Sequence, residues 1–135
     1  MPGFSGNCLC GSVKYTSKSE PVNIMNCHCD DCRKASGATY LTNIFIPLVS
    51  FNVQGTLKKY VHYADSGSKM TKYFCINCGS QVYGENSSRE GVVSIRAGSI
   101  NEKYIIKPLR NVFTSSKIPS TPLDNNLEKF DKMPF

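Results

Sequence analysis

The placement of the cysteines constrains this chain more than any other feature. All seven fall in three short clusters, Cys8-x-Cys10, Cys27-x-Cys29-x-x-Cys32 and Cys75-x-x-Cys78. An odd number does not close into a pure disulfide framework, and thiols clustered at these spacings are the pattern of metal ligands. Seven divides into four plus three. Four thiolates close a tetrahedral zinc site, whereas three leave one coordination position for chemistry.

The spacing suggests how the sets divide. In Cys75-Ile76-Asn77-Cys78-Gly79 a tight turn aims both sulfurs at one ion, and Gly79 tolerates the backbone that follows. In Cys8-Leu9-Cys10-Gly11, an extended strand would send residues i and i+2 to the same face. These two pairs, distant in sequence, combine naturally into one four-cysteine site. Cys27, Cys29 and Cys32 form the second set, with Cys32 expected in the first turn of a helix, where the dipole favours a thiolate. His28 is an alternative ligand, but on an extended segment it points away from Cys27 and Cys29. His62 sits in a strand pattern and reads as a packing or surface residue. A redox-active dithiol, or a disulfide within the second cluster, is the competing use of these thiols.

The length of 135 residues suits one domain, expected to span 1–135 with a core over about 6–113. Patterning is short and β-like, with strands expected over 13–15, 22–27, 39–46, 57–63, 69–74, 81–83 and 92–96. Residues 64–68 (ADSGS) read as a hairpin loop that delivers Cys75 at the end of its second strand. One short helix is expected over 31–36, capped by Asp30 and ended by Gly37. The proline-containing tail from 115 reads as irregular, with Leu127, Phe130 and Phe135 as anchors. Residues 35–57 carry no formal charge, but their polar and β-branched content reads as buried strands rather than a membrane span.

The formal net charge is +6 with every thiol neutral. Seven thiolates around two divalent ions would bring it to about +3. Basic residues are scattered, so a nucleic-acid patch is not indicated. Free thiols and no signal-like N-terminus point to the cytoplasm.

Four segments, GNCLCGSVKY (6–15), NCHCDDCRKASGATY (26–40), YFCINCGSQVY (73–83) and VVSIRAGSI (92–100), resemble the glutathione-dependent formaldehyde-activating enzyme family, which includes centromere protein V. The resemblance spans roughly 6–113 and takes in every cysteine in order. It implies a mainly β, β-tent-like zinc-binding fold of small antiparallel sheets, with one short helix after the second cysteine cluster. It implies a structural zinc on Cys8, Cys10, Cys75 and Cys78, and a second zinc on Cys27, Cys29 and Cys32 near a glutathione site. The implied activity is that of a carbon–sulfur lyase, combining glutathione and formaldehyde into S-hydroxymethylglutathione. The chain departs from the family where a His often precedes an apolar pair, here Asn111-Val112-Phe113, and where a Trp often follows, here Pro119-Ser120-Thr121.

Under this reading Cys27, Cys29 and Cys32 carry the catalysis. Arg33, Ser36 and Gly37 are the candidate glutathione contacts, with Lys34 and Arg96 as further cations for its carboxylates. For Arg33, Lys34 and Arg96 alike, ordinary surface charge is the competing reading. The partners implied are a small thiol and a small aldehyde. Two rivals stand beside it: a non-catalytic zinc module binding a thiol, a protein or nucleic acid, and a thiol-redox enzyme suggested by YFCIN (73–77).

Overall fold

The computed structural model describes residues 3–21 and 23–134. Among the described residues, eleven strands and one α-helix follow one another as β1 (Phe4–Asn7), β2 (Lys14–Ser17), β3 (Asn23–Cys27), α1 (Asp30–Ser36), β4 (Leu41–Pro47), β5 (Phe51–Gln54), β6 (Leu57–Tyr63), β7 (Lys69–Cys75), β8 (Gln81–Asn86), β9 (Val92–Arg96), β10 (Arg110–Val112) and β11 (Glu128–Lys129). The mainly β architecture with a helix after the second cysteine cluster matches the sequence expectation. The expected strand over 22–27 is seen from Asn23, and Val22 lies outside the described residues.

The strands form two sheets. The smaller has order β1-β2-β5, and the larger β11-β10-β3-β4-β9-β8-β7-β6. Pairing is antiparallel except where β10 runs parallel to both β3 and β11. The uncharged stretch is divided between them: β4 lies inside the large sheet and β5 at the edge of the small one.

The alternation of side chains across a pleated sheet gives the large sheet two different faces. Ile24, Ile44, Ile95 and Tyr83 lie in one cross-strand row. They enter the main core with Phe4, Val13, Tyr15, Val82 and Val93. The opposite face is polar. Met25, Asn43 and Arg96 form one row on it, and Tyr60, Lys72, Gly84 and Ser94 another. Cys27 ends β3 on this second face, two residues beyond Met25. A smaller apolar cluster of Met25, Cys27 and Val112, with Phe113, Phe130 and Met133, docks the tail beside it. Phe130 thus anchors the tail as expected, while Phe135 lies outside the described residues.

Candidate metal centre

The four-cysteine set assembles between the first turn of the chain and the end of β7. The sulfurs of Cys8, Cys10, Cys75 and Cys78 all lie within 4.8 Å of one another. The Cys8–Cys10 and Cys10–Cys75 sulfur separations are 3.6 and 3.8 Å. A tetrahedron with Zn–S bonds of about 2.3 Å has an edge of about 3.8 Å, so the set fits a zinc ion. The backbone supports the same assignment. Val13 N–H donates to Cys8 Sγ (3.3 Å), and Asn77 N–H donates to Cys75 Sγ (3.4 Å). Hydrogen bonding with Ser12 Oγ lowers the Cys10 thiol to about 7, and hydrogen bonding with Ser80 Oγ lowers Cys78 to about 5.

One local expectation needs correction. Cys8 and Cys10 lie on a turn after β1, not on an extended strand. Gly11 takes a left-handed conformation (φ 82°), and its N–H donates to Cys8 O (3.1 Å). Cys8 N–H donates in turn to Val13 O (3.0 Å). The turn brings the sulfurs together by folding back, as the Cys75–Gly79 turn does with Gly79 at φ 77°.

The three-cysteine set joins β3 to α1. The sulfurs of Cys27, Cys29 and Cys32 lie within 4.8 Å of one another, with Cys27 buried and the other two partly exposed. The helix begins one residue earlier than expected, and its N-cap is Cys29 instead of Asp30. Cys29 Sγ accepts from Cys32 N–H (3.2 Å), so the cap bond also holds two prospective ligands together. Hydrogen bonds from Cys27 and Cys32 draw the Cys29 thiol far below its ordinary value, and as the donor Cys27 is pushed far up. Although its hydrogen bond with Cys27 lowers it, Cys29 and burial leave the Cys32 thiol raised as well, so the negative charge of the three centres on Cys29.

Arg96 lies buried behind this cluster, at 8% exposure, and its charge interacts with all three thiols. Nε donates to Gln81 Oε1 (2.7 Å), and Nη1 donates to Asn43 Oδ1 (3.0 Å) and Ser94 Oγ (3.0 Å). Gly84 makes room for it, since a Cβ there would stand 2.6 Å from Arg96 Nη2. Gln81 Nε2 donates to Ala35 O (3.3 Å), linking Arg96 to the helix. A surface reading of Arg96 is overturned by its register opposite Asn43, which places it on the site face of the sheet.

A cleft of about 440 Å³ opens between α1, which carries Cys32, and strands β6 to β8. Its walls include Asp31, Lys34 and Ala35 of α1, Tyr60 and His62 of β6, and Lys72 of β7. This volume falls within the range of roughly 300–1,000 Å³ typical of small-molecule sites.

The family model for the glutathione-dependent formaldehyde-activating enzyme matches residues 3–116. The chain belongs to this family. Among curated proteins it is similar to an uncharacterized lyase of Schizosaccharomyces pombe, 29% identical over 83 residues. That match covers 62% of this chain and 58% of the relative's length. The fold is similar to a crystal structure of a Rhodobacter sphaeroides protein, with a TM-score of 0.58, 18% identity, and coverage of 77% of this chain and 96% of the other.

All seven cysteines lie within the span matched by the formaldehyde-activating family model, and the structure gathers them into the four and the three. The remaining expected residues take varied places. Arg33 pairs with Asp30 (3.2 Å) on its own helix. Ser36 Oγ donates to Cys32 O (2.8 Å), and Gly37 (φ 74°) returns its N–H to Arg33 O, so both serve to end the helix. Lys34, rather than these three, lines the cleft. His28 points away from the thiols, with Nε2 donating to Asn111 Oδ1 (3.0 Å) and the ring packed on Tyr40. Asn111, at the departure from the family pattern, also accepts from Asn26 Nδ2 (3.2 Å) and so ties β10 to the cysteine segment.

Sequence reasoning did not single out Lys72, Gln81, Asn43 or Gly84. Each matters through a partner on another strand, and only their positions in apolar, alternating segments were visible.

Proposed function

We propose that this protein is a one-domain, cytoplasmic carbon–sulfur lyase that joins the thiol of glutathione reversibly to formaldehyde, giving S-hydroxymethylglutathione. The observation that carries this reading is the three-thiol cluster, backed by a buried arginine and joined through α1 to a small-molecule cleft. Family membership supports the choice of thiol and aldehyde.

In this reading Cys8, Cys10, Cys75 and Cys78 hold a structural zinc, and Cys27, Cys29 and Cys32 hold a second. A zinc ion held by Cys27, Cys29 and Cys32 would supply an open coordination position that lowers the pKa of a substrate thiol toward neutral pH. The chain supplies the rest. Arg96 offsets the negative charge of the cysteines and keeps them oriented through Gln81 and the helix. Lys34, on the cleft wall, would pair with a carboxylate of the tripeptide. Holding thiol and aldehyde side by side turns a bimolecular encounter into an oriented one, and this accounts for much of the expected acceleration. Attack of the thiolate sulfur on the aldehyde carbon forms the C–S bond, and the carbonyl oxygen ends as a hydroxyl.

The test is metal analysis of the reduced protein, followed by glutathione titration and exchange NMR with labelled formaldehyde. Two zinc ions per chain, saturable glutathione binding lost in Cys32→Ser, and accelerated exchange between free and thiol-bound formaldehyde are expected. Full zinc loading with no glutathione affinity would overturn the reading in favour of a non-catalytic zinc module.

A further inference from the structure

The cleft contains a pair of nitrogen groups that the scheme above leaves unused. Lys72 projects from the middle of β7, and only 8% of its surface is exposed. A buried lysine ordinarily sits against a carboxylate, because an isolated ammonium is costly to desolvate. Among the described residues, Lys72 has no such ion pair. Instead, Nζ lies 2.6 Å from His62 Nε2, the length of a strong hydrogen bond. The ammonium donates to the ring, which leaves the histidine proton on Nδ1.

The two residues are held by sheet register. Lys72 stands opposite Tyr60, and His62 follows two residues later on β6, on the same face. Tyr60 stacks on the His62 ring at 6.0 Å and 22°. Lys72, His62 and Tyr60 all line the cleft. His62 is half-buried, so the pair runs from a dry end to a solvent-facing end. The charged groups around Lys72 are Asp31 on α1, Arg96 on β9, and the thiols of Cys29 and Cys32. Lys34 and His62 share its cleft. Burial, then the neighbouring Arg96, hold the Lys72 amine below an ordinary lysine and make it a readier proton donor.

We propose that Lys72 and His62 form a proton-transfer dyad, Lys72 acting on the oxygen of the aldehyde adduct and His62 connecting it to solvent. The proposal rests on the lyase reading above. In the forward direction the thiolate sulfur bonds to the aldehyde carbon, and the C=O π electrons move to oxygen. The resulting alkoxide takes a proton from the Lys72 ammonium. The thiol's proton leaves to solvent on binding; His62 then shifts its proton from Nδ1 to Nε2 through solvent and passes it to the neutral Lys72 as Nδ1 takes up a proton from solvent. Thiol and aldehyde are then joined with no net gain or loss of protons. In reverse, Lys72 first passes a proton to His62 Nε2 while Nδ1 releases its own to solvent; the neutral amine then removes the hydroxyl proton, the C–S bond breaks, and aldehyde and thiolate separate. No oxidant or co-reactant is needed.

The test uses zinc-loaded full-length protein, with glutathione binding followed by calorimetry and adduct turnover by exchange NMR. Lys72→Met should bind glutathione within about threefold of wild type while turnover falls roughly 10²–10⁴-fold, the usual share of general acid–base catalysis. Lys72→Arg keeps the charge but cannot release its proton, so it should lose turnover equally. It also serves as the informative variant if Lys72→Met does not fold. His62→Gln should lose less, and its loss should change the pH dependence of turnover. Retained turnover in Lys72→Arg would overturn the dyad. So would a Lys72→Met that loses glutathione affinity with unchanged turnover of the bound complex, since Lys72 would then be an anion anchor. Wild-type protein that binds glutathione without accelerating exchange would instead overturn the lyase reading, and the dyad with it.

Discussion

The two cysteine sets use the same ligand chemistry in opposite surroundings. The set of four joins segments about seventy residues apart in sequence, from the first turn to the end of β7, and its cysteines meet mainly main-chain N–H groups and serines. Cys8 and Cys75 are part of the main apolar core. The set of three is local, spread over six residues, and looks onto a polar face with Arg96, Lys72 and a cleft. Closing long loops and entering the core makes a metal part of folding. On the proposed reading, a local cluster with buried cations behind it would hold charge without holding the fold.

The largest effect should come from breaking that division of labour directly. Cys75→Ser should abolish cooperative folding, because structural zinc sites contribute about 10–16 kcal/mol of apparent binding energy to folding. Cys32→Ser should keep the fold and lose one zinc, as read by circular dichroism and metal analysis. Equal destabilisation by the two changes would erase the distinction.

Arg96→Met sharpens the comparison at the next level. It leaves Gln81 Oε1 and Asn43 Oδ1 without their donor and the thiols without a buried cation. A stability loss of about 3 kcal/mol is expected in denaturant titration. Zinc should weaken selectively at the set of three. Weakening at both sets would mean that Arg96 acts through the whole sheet.

Asn111→Ala removes the acceptor shared by His28 Nε2 and Asn26 Nδ2. The expected cost is about 1–3 kcal/mol, the desolvation penalty of stranded buried groups. Hydrogen exchange should rise in β3 and β10 and stay unchanged around Cys8 and Cys75.

How far these contrasts could be read in advance depends on the range of the interactions. The four-plus-three division was legible because cysteine spacing is local chemistry. Strands β6 and β9 were legible with their observed bounds, since β-branched and aromatic residues mark both and β9 also alternates. The helix was legible too, although its cap passed to Cys29 because a thiol already needed beside Cys32 can accept the N–H. The short strands β1, β5, β10 and β11 were not, since pieces of two to four residues take their form from partners. Arg96 looked like surface charge because its acceptors, Asn43 and Gln81, lie far away in sequence.

The smallest prediction concerns the ties of the small sheet. Ser5 N–H and Oγ donate to the Glu102 carboxylate at 2.8 and 2.7 Å. Burial pushes this carboxyl up, but the two Ser5 hydrogen bonds outweigh it and hold it below the ordinary range. The contribution is therefore fully present above the unfolded value of about 4.3 and is lost as pH falls through the lower folded value. Wild type should exceed Glu102→Gln in stability by less than about 1 kcal/mol at pH 7, with the gap narrowing as pH falls below about 4.3. A gap that widens on acidification would reverse the assignment.

The parallel pairing of β10 with β3 has a consequence for biosynthesis. A chain made from its N-terminus presents all four ligands of the first set once Cys78 is exposed. The strand and tail that shelter Cys27, with Val112, Phe113 and Phe130, emerge later. The nascent protein thus completes its four-cysteine set first and covers Cys27 last. Ribosome-bound chains arrested before Arg110 should accordingly show Cys27 open to alkylation while Cys8 and Cys75 are already protected.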